Sequence, residues 1–339
     1  MTPRRETQRA SAQPETESGA PDQRPRRHWI RRLGIAVLAL VAILAVSTSA
    51  NLVMEKREKS QTTPYGERVL VEGGSINVWT NGRPGQPTVV FLSGLGTAAP
   101  ALDFAPLIRE LDGYNVIVVE GFGYGYSDMK ARPRTVENIT TEIHDVLSTL
   151  GTQGPYVLVG HSISGFYTLS YANRYPDEVS AVVGIDPTVP AAKADATQPA
   201  RAGMNWMRVL ATTGLVRAAI AAAPSLWKPA GDAYTADELE RMRRMTVWNF
   251  SNSALVDETT RIGTNAAALR GAKYPDSLPV LDLLATESVR SIPGWVQQHE
   301  DQLSNVRRHE VVVLDGPHYL HWTQSKAMAE KITDFLGEK

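Results

Sequence analysis

The sequence predicts an α/β fold in which a mostly parallel sheet of eight strands is covered by helices on both faces. Two observations predict it. Short runs of β-branched and apolar residues recur after residue 65, and longer amphipathic helical patterns separate the later runs. Most of these runs are apolar throughout, which is typical of strands buried on both faces of a parallel sheet.

Composition excludes several classes of protein. The 339 residues include 35 Lys and Arg against 36 Asp and Glu, and no cysteine. A net charge of −1 lacks the basic excess of most nucleic-acid-binding proteins, so we expect no nucleic-acid partner. The absence of cysteine excludes a disulfide scaffold, an iron–sulfur cluster and thiolate catalysis.

The first 54 residues predict a membrane anchor. Residues 1–32 carry eight arginines against four acidic residues, and residues 1–28 contain almost no large apolar residue, so we expect a disordered basic tail. Residues 33–54 contain no ionisable side chain. As a helix rising ~1.5 Å per residue they would extend about 33 Å, which matches the ~30 Å hydrocarbon core of a bilayer.

The basic flank predicts the orientation of this segment. Arginines beside a membrane span remain in the cytoplasm, so residues 33–54 are interpreted as a signal anchor that places the rest of the chain outside the cytoplasm. A signal peptide cleaved after Ala50, with Thr48 at the third position before the cut, is the main alternative. A buried core helix is a third interpretation, but such a helix would show polar positions. The first two interpretations have one consequence in common. Both interpretations export the domain that follows, and the first makes the lipid bilayer a lasting partner.

The strands and helices can be placed in order. The first two strands are separated by Gly73-Gly74 and predict a hairpin, whereas the later strands alternate with helices. The predicted strands are Arg68–Val71, Ser75–Trp79, Thr88–Leu92, Asn115–Val119, Tyr156–Gly160, Ala181–Ile185, Pro279–Ala285 and Glu310–Leu314. The predicted helices among them are Thr135–Leu150, Ile163–Arg174 and Thr323–Leu336.

Residues 190–277 break this alternation, because they contain helical patterns and no convincing strand. We interpret them as a helical cap inserted between the sixth and seventh strands, over the edge of the sheet where α/β folds form their sites. The predicted domains are a tail (1–32), a transmembrane helix (33–54), a linker (55–64), a sheet domain (65–189 and 278–339) and the cap (190–277).

A candidate nucleophile lies where the fifth strand meets a helix, in the sequence GHSISG. A serine on such a tight turn projects its hydroxyl above the sheet, and the helix N-terminus favours developing negative charge there. We therefore predict Ser162 as the nucleophile. Gly160 supplies the small residue two positions before it, whereas Ser164 stands where the usual pattern has glycine. The structural alternative is a serine that only caps the helix.

Two further segments complete the predicted chemistry. The third strand ends in SGLG, a loop that can turn backbone N–H groups toward the serine, and we assign the oxyanion-hole donors to Leu95 and Ile163. His318 follows the eighth strand directly and is the predicted general base, with His321 three residues further on. A histidine in hydrogen-bond reach converts a serine hydroxyl into a nucleophile.

Together these segments resemble the α/β-hydrolase fold superfamily, in its form with a serine nucleophile and a helical cap. The resemblance rests on GHSISG, SGLG, GFGYGYSD, YPDEVSAVVGIDP and DGPHYLH, and covers the chain from about Tyr65 onward apart from the insertion. It implies the order nucleophile, acid, histidine. Besides Ser164, one further position departs from the family pattern, since Ser93 stands where many members have histidine.

The resemblance leaves the acid open. Most members carry it after the seventh strand, but PVLDLLATESVRSIPGW has no aspartate at that place and Glu287 lies one residue short of it. Asp186, at the end of the sixth strand, occupies a position that some relatives use. Either carboxylate would orient the histidine and stabilise the imidazolium ion.

The sequence thus predicts a membrane-anchored, extracytoplasmic serine hydrolase that acts by acyl transfer on a small hydrophobic ester, as a carboxylesterase or lipase does. Other serine hydrolases stay open (aminopeptidase, thioesterase, perhydrolase, carbon–carbon hydrolase), as does a non-catalytic protein that binds a ligand under the cap. No cofactor or metal is predicted, because GFGYGYSD lacks nucleotide-loop spacing and no cluster of His, Asp and Glu has ligand spacing.

Overall fold

The computed structural model describes residues 24–152, 154–190 and 204–337. The chain forms two compact units, Met1–Ser47 and Thr48–Lys339. In the first unit, the described residues are helical throughout, and they begin the helix α1 (Arg24–Gln61). The second unit contains the end of α1, the sheet and every other helix that the described ranges include.

Helix α1 is long and apolar enough to cross a membrane. It differs from the predicted boundaries at both ends. Residues 24–32, assigned to the disordered tail, are helical, while residues 1–23 of that tail lie outside the described residues. The predicted linker 55–64 is helical as far as Gln61. Within this stretch, Glu55 and Lys59 form an ion pair of 2.6 Å at positions i and i+4, which stabilises the helix.

All eight predicted strands are present, and their ends lie within two residues of the prediction. They form one sheet in the order β1-β2-β4-β3-β5-β6-β7-β8, which is antiparallel at β1, β2 and β4 and parallel elsewhere. The strands are β1 (Glu67–Val71), β2 (Gly74–Thr80), β3 (Thr88–Leu92), β4 (Asn115–Glu120), β5 (Tyr156–His161), β6 (Val179–Ile185), β7 (Val280–Ala285) and β8 (His309–Leu314).

Helices cover both faces of the sheet, because alternate residues of each buried strand point to opposite sides. In β3, Val90 and Leu92 join the core on one face of the sheet, whereas Val89 and Phe91 join the core on the other. The helices outside the cap are α2 (Pro100–Asp103), α3 (Ala105–Glu110), α4 (Val136–Thr149), α5 (Ser164–Arg174), α11 (Thr286–Ser291), α12 (Trp295–Leu303) and α13 (Ser325–Gly337).

Five helices lie between β6 and β7 in the described part of the chain, where the cap is predicted. They are α6 (Trp206–Thr212), α7 (Leu215–Ala222), α8 (Ala236–Asn249), α9 (Ser253–Thr260) and α10 (Ile262–Ala268). Residues 191–203 of the predicted cap lie outside the described residues. The first three of these helices share a small apolar core that includes Ile220, Met245 and Trp248.

The last turns of α1 pack against this group of helices. Asn51, which is buried, donates hydrogen bonds to the carbonyl oxygens of Ala211 and Thr212, at 3.3 and 3.2 Å. Arg217 of α7 donates to the Asn51 amide oxygen (2.9 Å) and forms a two-pronged ion pair with Glu58 (2.6 and 3.0 Å). Residues 51 and 58 lie about two helical turns apart on one face of α1, so both face the cap.

Gly125 of GFGYGYSD lies against a buried carboxylate. Glu120 accepts hydrogen bonds from the Tyr65 hydroxyl (2.7 Å), the Asn77 amide (2.8 Å) and the Tyr126 backbone N–H (2.9 Å). Burial raises the pKa of Glu120, and these hydrogen bonds oppose that effect. Gly125, with φ of +51°, passes so close that a Cβ there would overlap the carboxylate. The motif is therefore a tight structural turn around Glu120.

Gly125→Ala is expected to destabilise the protein far more than Gly82→Ala. Both glycines have positive φ, but a Cβ at Gly82 would meet no atom within 4 Å, so the control isolates the steric overlap. We expect an additional loss of at least about 2 kcal/mol in the free energy of unfolding for Gly125→Ala, measured in urea. Equal losses in the two variants would contradict this role for Gly125.

Candidate active site

Ser162 lies on a strained turn between β5 and α5. Its φ is +54°, which is rare for a residue with a side chain. Two hydrogen bonds hold the turn to the end of β6, from the Ser162 N–H to the Ile185 carbonyl (3.1 Å) and from the Thr188 N–H to the Ser162 carbonyl (2.8 Å). A Cβ at Gly165 would lie 2.6 Å from the Thr188 carbonyl oxygen, so this close approach requires glycine.

The two positions that depart from the family pattern contact each other. The hydroxyl of Ser164 is buried and donates a 2.6 Å hydrogen bond to the carbonyl oxygen of Ser93. Because Ser93 follows β3 and Ser164 begins α5, this bond joins the glycine-rich loop to the turn that carries Ser162. The serine at position 164 therefore has a structural role that a glycine could not perform.

Ser162, His318 and Asp186 form a continuous chain of hydrogen bonds. The Nε2 atom of His318 lies 2.9 Å from Ser162 Oγ, and its Nδ1 atom lies 2.6 Å from Asp186 Oδ2. His161 and Ile185 pair at the ends of β5 and β6, so Ser162 and Asp186 leave adjacent strands side by side. Asp186, like Ser162, has a positive φ, of +42°.

The carboxylate of Asp186 is fully buried and accepts four hydrogen bonds. Besides His318, its donors are the hydroxyl of Ser288, the Trp295 indole N–H (2.9 Å) and the Ala285 backbone N–H (3.1 Å). Burial alone would raise the pKa of Asp186, but the hydrogen bonds from His318, Ser288, Trp295 and Ala285 outweigh it and lower the pKa below 3.8. A carboxylate that stays ionised assigns the ring proton to Nδ1 and leaves Nε2 as a hydrogen-bond acceptor beside Ser162 Oγ.

The two candidate acids occupy different places. Glu287 accepts a 2.7 Å hydrogen bond from the backbone N–H of His318 and does not bond its ring. Ser288 stands where the resemblance expects the acid, and it donates to Asp186 instead. No sequence motif marks Ser288 and Trp295 as functional residues, because only the pairing of β6 with β7 brings them to Asp186.

Two other histidines support the loop that carries His318. His161 is fully buried, and this burial is the main reason that its pKa lies well below 6.5. The neighbouring rings of His321 and His318 lower the pKa further. The neutral ring donates from Nε2 to the His318 carbonyl oxygen at 3.2 Å. His321 is also buried, with Nε2 2.7 Å from Asp103, so its role is structural.

The predicted oxyanion donors lie beside this site. The Thr97 N–H donates to the Gly94 carbonyl (3.3 Å), which closes a turn around Leu95 and Gly96. A Cβ at Gly94 would lie 2.6 Å from His161 Nδ1, so the loop lies directly against the Ser162 turn. Among the backbone–backbone hydrogen bonds of the described turns and loops, none has the Leu95 or the Ile163 N–H as its donor.

Two cavities open on either side of the glycine-rich loop. One, of about 470 Å³, lies between this loop and the cap and includes Met207, Leu226 and Phe250 in its lining. The other, of about 260 Å³, is lined by Tyr319 next to His318, and by Trp322 and Trp227. Both share residues 96–98 and Leu226. Among the described residues, no cluster of three or more His, Asp or Glu could hold a metal ion.

Comparisons with known proteins agree with this fold. The model of the alpha/beta hydrolase family matches residues 89–331. The uncharacterized protein YbdG of Bacillus subtilis is 33% identical over 158 residues, 46% of this chain and 48% of its own length. Lipase 1 of Psychrobacter immobilis is 27% identical over 145 residues, 42% of this chain and 44% of its own. The chain thus spans about half the length of these curated relatives.

Solved structures show the same architecture at lower sequence identity. The epoxide hydrolase VrEH1 from Vigna radiata superposes with a TM-score of 0.62 at 17% identity, over 80% of this chain and 98% of that structure. The enol-lactonase from Burkholderia xenovorans LB400 gives a TM-score of 0.53 at 21% identity, over 80% and 100%. These likenesses concern the fold. The family match, which covers more than two thirds of the chain, shows that the protein belongs to the alpha/beta hydrolase family.

Proposed function

We propose that this alpha/beta hydrolase is a serine hydrolase that cleaves a hydrophobic carboxylic ester by acyl transfer. The observation that carries the proposal is the hydrogen-bonded chain from Ser162 Oγ through both ring nitrogens of His318 to the buried carboxylate of Asp186. Nucleophile, base and acid arranged in this way activate a serine hydroxyl that is inert at its ordinary pKa.

The first half of the reaction forms an acyl-enzyme. Ser162 Oγ attacks the ester carbonyl carbon while its proton passes to His318 Nε2, and Asp186 stabilises the resulting imidazolium ion. The backbone N–H groups of Leu95 and Ile163, together with the N-terminus of α5, stabilise the negative charge on the carbonyl oxygen. The bond to the alcohol then breaks, and the alcohol leaves with the proton held by His318.

The second half releases the acid. A water molecule gives a proton to His318 Nε2 and attacks the acyl carbon, and the second tetrahedral intermediate uses the same oxyanion donors. The bond to Ser162 breaks, the proton returns from His318 to Ser162 Oγ, and the carboxylic acid product leaves. The reaction is the hydrolysis of one ester by one water, and it requires no cofactor.

Two observations support a hydrophobic substrate. The larger cavity beside the glycine-rich loop includes Met207, Leu226, Phe250 and Leu255 in its lining, and an apolar pocket favours an apolar acyl or alcohol group. Psychrobacter immobilis Lipase 1, to which the chain is similar, is named a lipase. The first favours an apolar group beside the scissile bond, and the second favours an ester as the bond that is cleaved.

We also propose that residues 33–54 anchor the protein in a bilayer, with the N-terminus in the cytoplasm and the hydrolase domain outside it. The support is the length and apolar composition of α1 and the arginines that precede it. Cleavage after Ala50 would instead release the domain with Asn51 at its new N-terminus.

A fluorophosphonate probe, which reacts with activated serines, tests the proposed chemistry. The full chain should be labelled, and Ser162→Ala should abolish labelling and lower kcat for p-nitrophenyl butyrate by about 10⁴-fold or more. Ser60→Ala, at an exposed serine of α1, is the control and should behave like the parent protein. A folded parent protein that resists labelling would favour the ligand-binding alternative.

The acid is tested by comparing Asp186→Asn with Glu287→Gln. An asparagine cannot stabilise the imidazolium ion, so Asp186→Asn should lower kcat by about 10³- to 10⁴-fold. Glu287→Gln removes a charge that faces only the His318 backbone and should change kcat by less than about tenfold. Circular dichroism of both variants separates lost catalysis from lost folding. The reverse order of effects would assign the role to Glu287.

Membrane anchoring is tested by alkaline carbonate extraction of membranes from expressing cells. The full-length chain should remain in the membrane pellet, and the paired substitution Leu40→Arg and Ile43→Arg should release it, because each arginine near the span centre costs about 3 kcal/mol. Mass spectrometry reports the N-terminus. A soluble product that begins at Asn51 would establish signal-peptide cleavage and overturn the anchor.

A further inference from the structure

Exposed apolar side chains are concentrated on one part of the cap. Of the ten exposed large apolar residues that the structure describes after Met54, seven lie between Met204 and Leu226. Single exposed apolar residues are ordinary, but a cluster marks an interaction surface. We call the exposed side chains of this stretch the cap face. Its members are Met204, Trp206, Met207, Val209, Leu210, Leu215 and Leu226.

The cap face has the geometry and charge of a surface that contacts lipid. Trp206, Val209 and Leu210 lie at positions i, i+3 and i+4 of α6 and so share one side of the helix. The chain from Met204 to Lys228 contains no acidic residue, and its basic residues are Arg208, Lys228 and Arg217, whose charge is paired with Glu58. An apolar surface with tryptophan and without acidic groups suits the interface of a bilayer that carries anionic lipids.

The contact between α1 and the cap brings this face to the end of the apolar run. Asn51 lies three residues before Met54, the last residue of the uncharged run, and its amide binds the carbonyl groups of Ala211 and Thr212 at the end of α6. Three residues of helix correspond to about 5 Å. If residues 33–54 cross a bilayer, the end of α6 therefore lies at the level where the chain leaves the hydrocarbon.

The same face borders the larger cavity beside the glycine-rich loop. Met207 and Leu226, two members of the cap face, also line the larger cavity beside residues 96–98 of the glycine-rich loop. An apolar path thus leads from the exposed face, past Met207 and Leu226, to the loop that carries the proposed oxyanion donor. A substrate could follow this path without its apolar part entering water.

We propose that the cap face docks on the bilayer that holds residues 33–54, and that the substrate is a long-chain lipid ester that enters the cavity from this bilayer. The proposal rests on the proposed function, because it uses the anchor and the hydrolase site. It adds a second membrane contact and a substrate class. Docking of this kind keeps the cavity mouth at the lipid surface and removes the cost of transferring an acyl chain through water.

The absence of cysteine makes a direct test of docking possible. Leu210→Cys in the full chain, labelled with the environment-sensitive fluorophore NBD, is reconstituted in phosphatidylcholine and phosphatidylglycerol vesicles. Leu70→Cys is the matched control, because Leu70 is an exposed leucine on the edge strand β1. We expect a blue-shifted emission at position 210 that doxyl-labelled lipids quench and aqueous iodide does not, and the opposite at position 70.

Two results would overturn docking on the bilayer. A label at position 210 that iodide reaches as readily as at position 70 would show that the face is in water. A label shielded from iodide and not quenched by doxyl lipids would show that protein covers it, either residues 191–203 or a second copy of the chain. This readout does not depend on activity, so it separates failure of docking from failure of the proposed hydrolase.

A second experiment tests the substrate class with the paired substitution Trp206→Asp and Leu210→Asp, neither of which lines the described cavities. In vesicles, the variant should lose at least tenfold in rate on embedded 4-methylumbelliferyl oleate and less than twofold on water-soluble p-nitrophenyl butyrate. Equal losses on both esters, or no loss on either, would overturn delivery through the cap face. A parent protein inactive on both esters would overturn the hydrolase itself.

Discussion

Asp186 places a charged carboxylate at a fully buried position, and the arrangement of the site depends on the donors that surround it. An unpaired charge at such a position would cost several kcal/mol, so the fold must bring donors to it. They come from separate elements: Ala285 ends β7, Ser288 lies in α11, Trp295 begins α12 and His318 follows β8. The packing that satisfies the carboxylate therefore also fixes the ring of His318 beside Ser162.

Features that depend on neighbouring residues could be predicted from the sequence, whereas features that depend on residues far apart along the chain could not. Ser162 and His318 could be proposed as nucleophile and base from the sequence because each is marked by a neighbouring strand end and by small or glycine residues in the same short segment. Their catalytic roles stay predictions. All eight strands were predicted for the same reason, since a buried strand carries its own apolar pattern. The acid stayed open because its identity depends on donors about 100 residues away along the chain, such as Ser288.

The boundaries of α1 show a second limit of local reasoning. Charge and polarity predicted a linker after Met54, but Glu55 and Lys59 pair along the helix, and Asn51 and Glu58 pair with the cap. The helix thus continues because long-range partners satisfy its polar residues. Burial raises the pKa of Glu58, and the hydrogen bonds from Arg217 and Trp248 reverse this and lower it, which keeps the ion pair charged.

The ion pair between Glu58 and Arg217 also connects the two membrane contacts that we propose. Both side chains are largely buried, at 16% and 11% exposure, so moving α7 away from α1 would leave two poorly solvated charges without partners. Trp248 of α8 donates to the same carboxylate at 3.0 Å. Because Asn51, Glu58 and the two cap helices share these bonds, α7 and α8 are held to the end of α1, the helix that contains the proposed span.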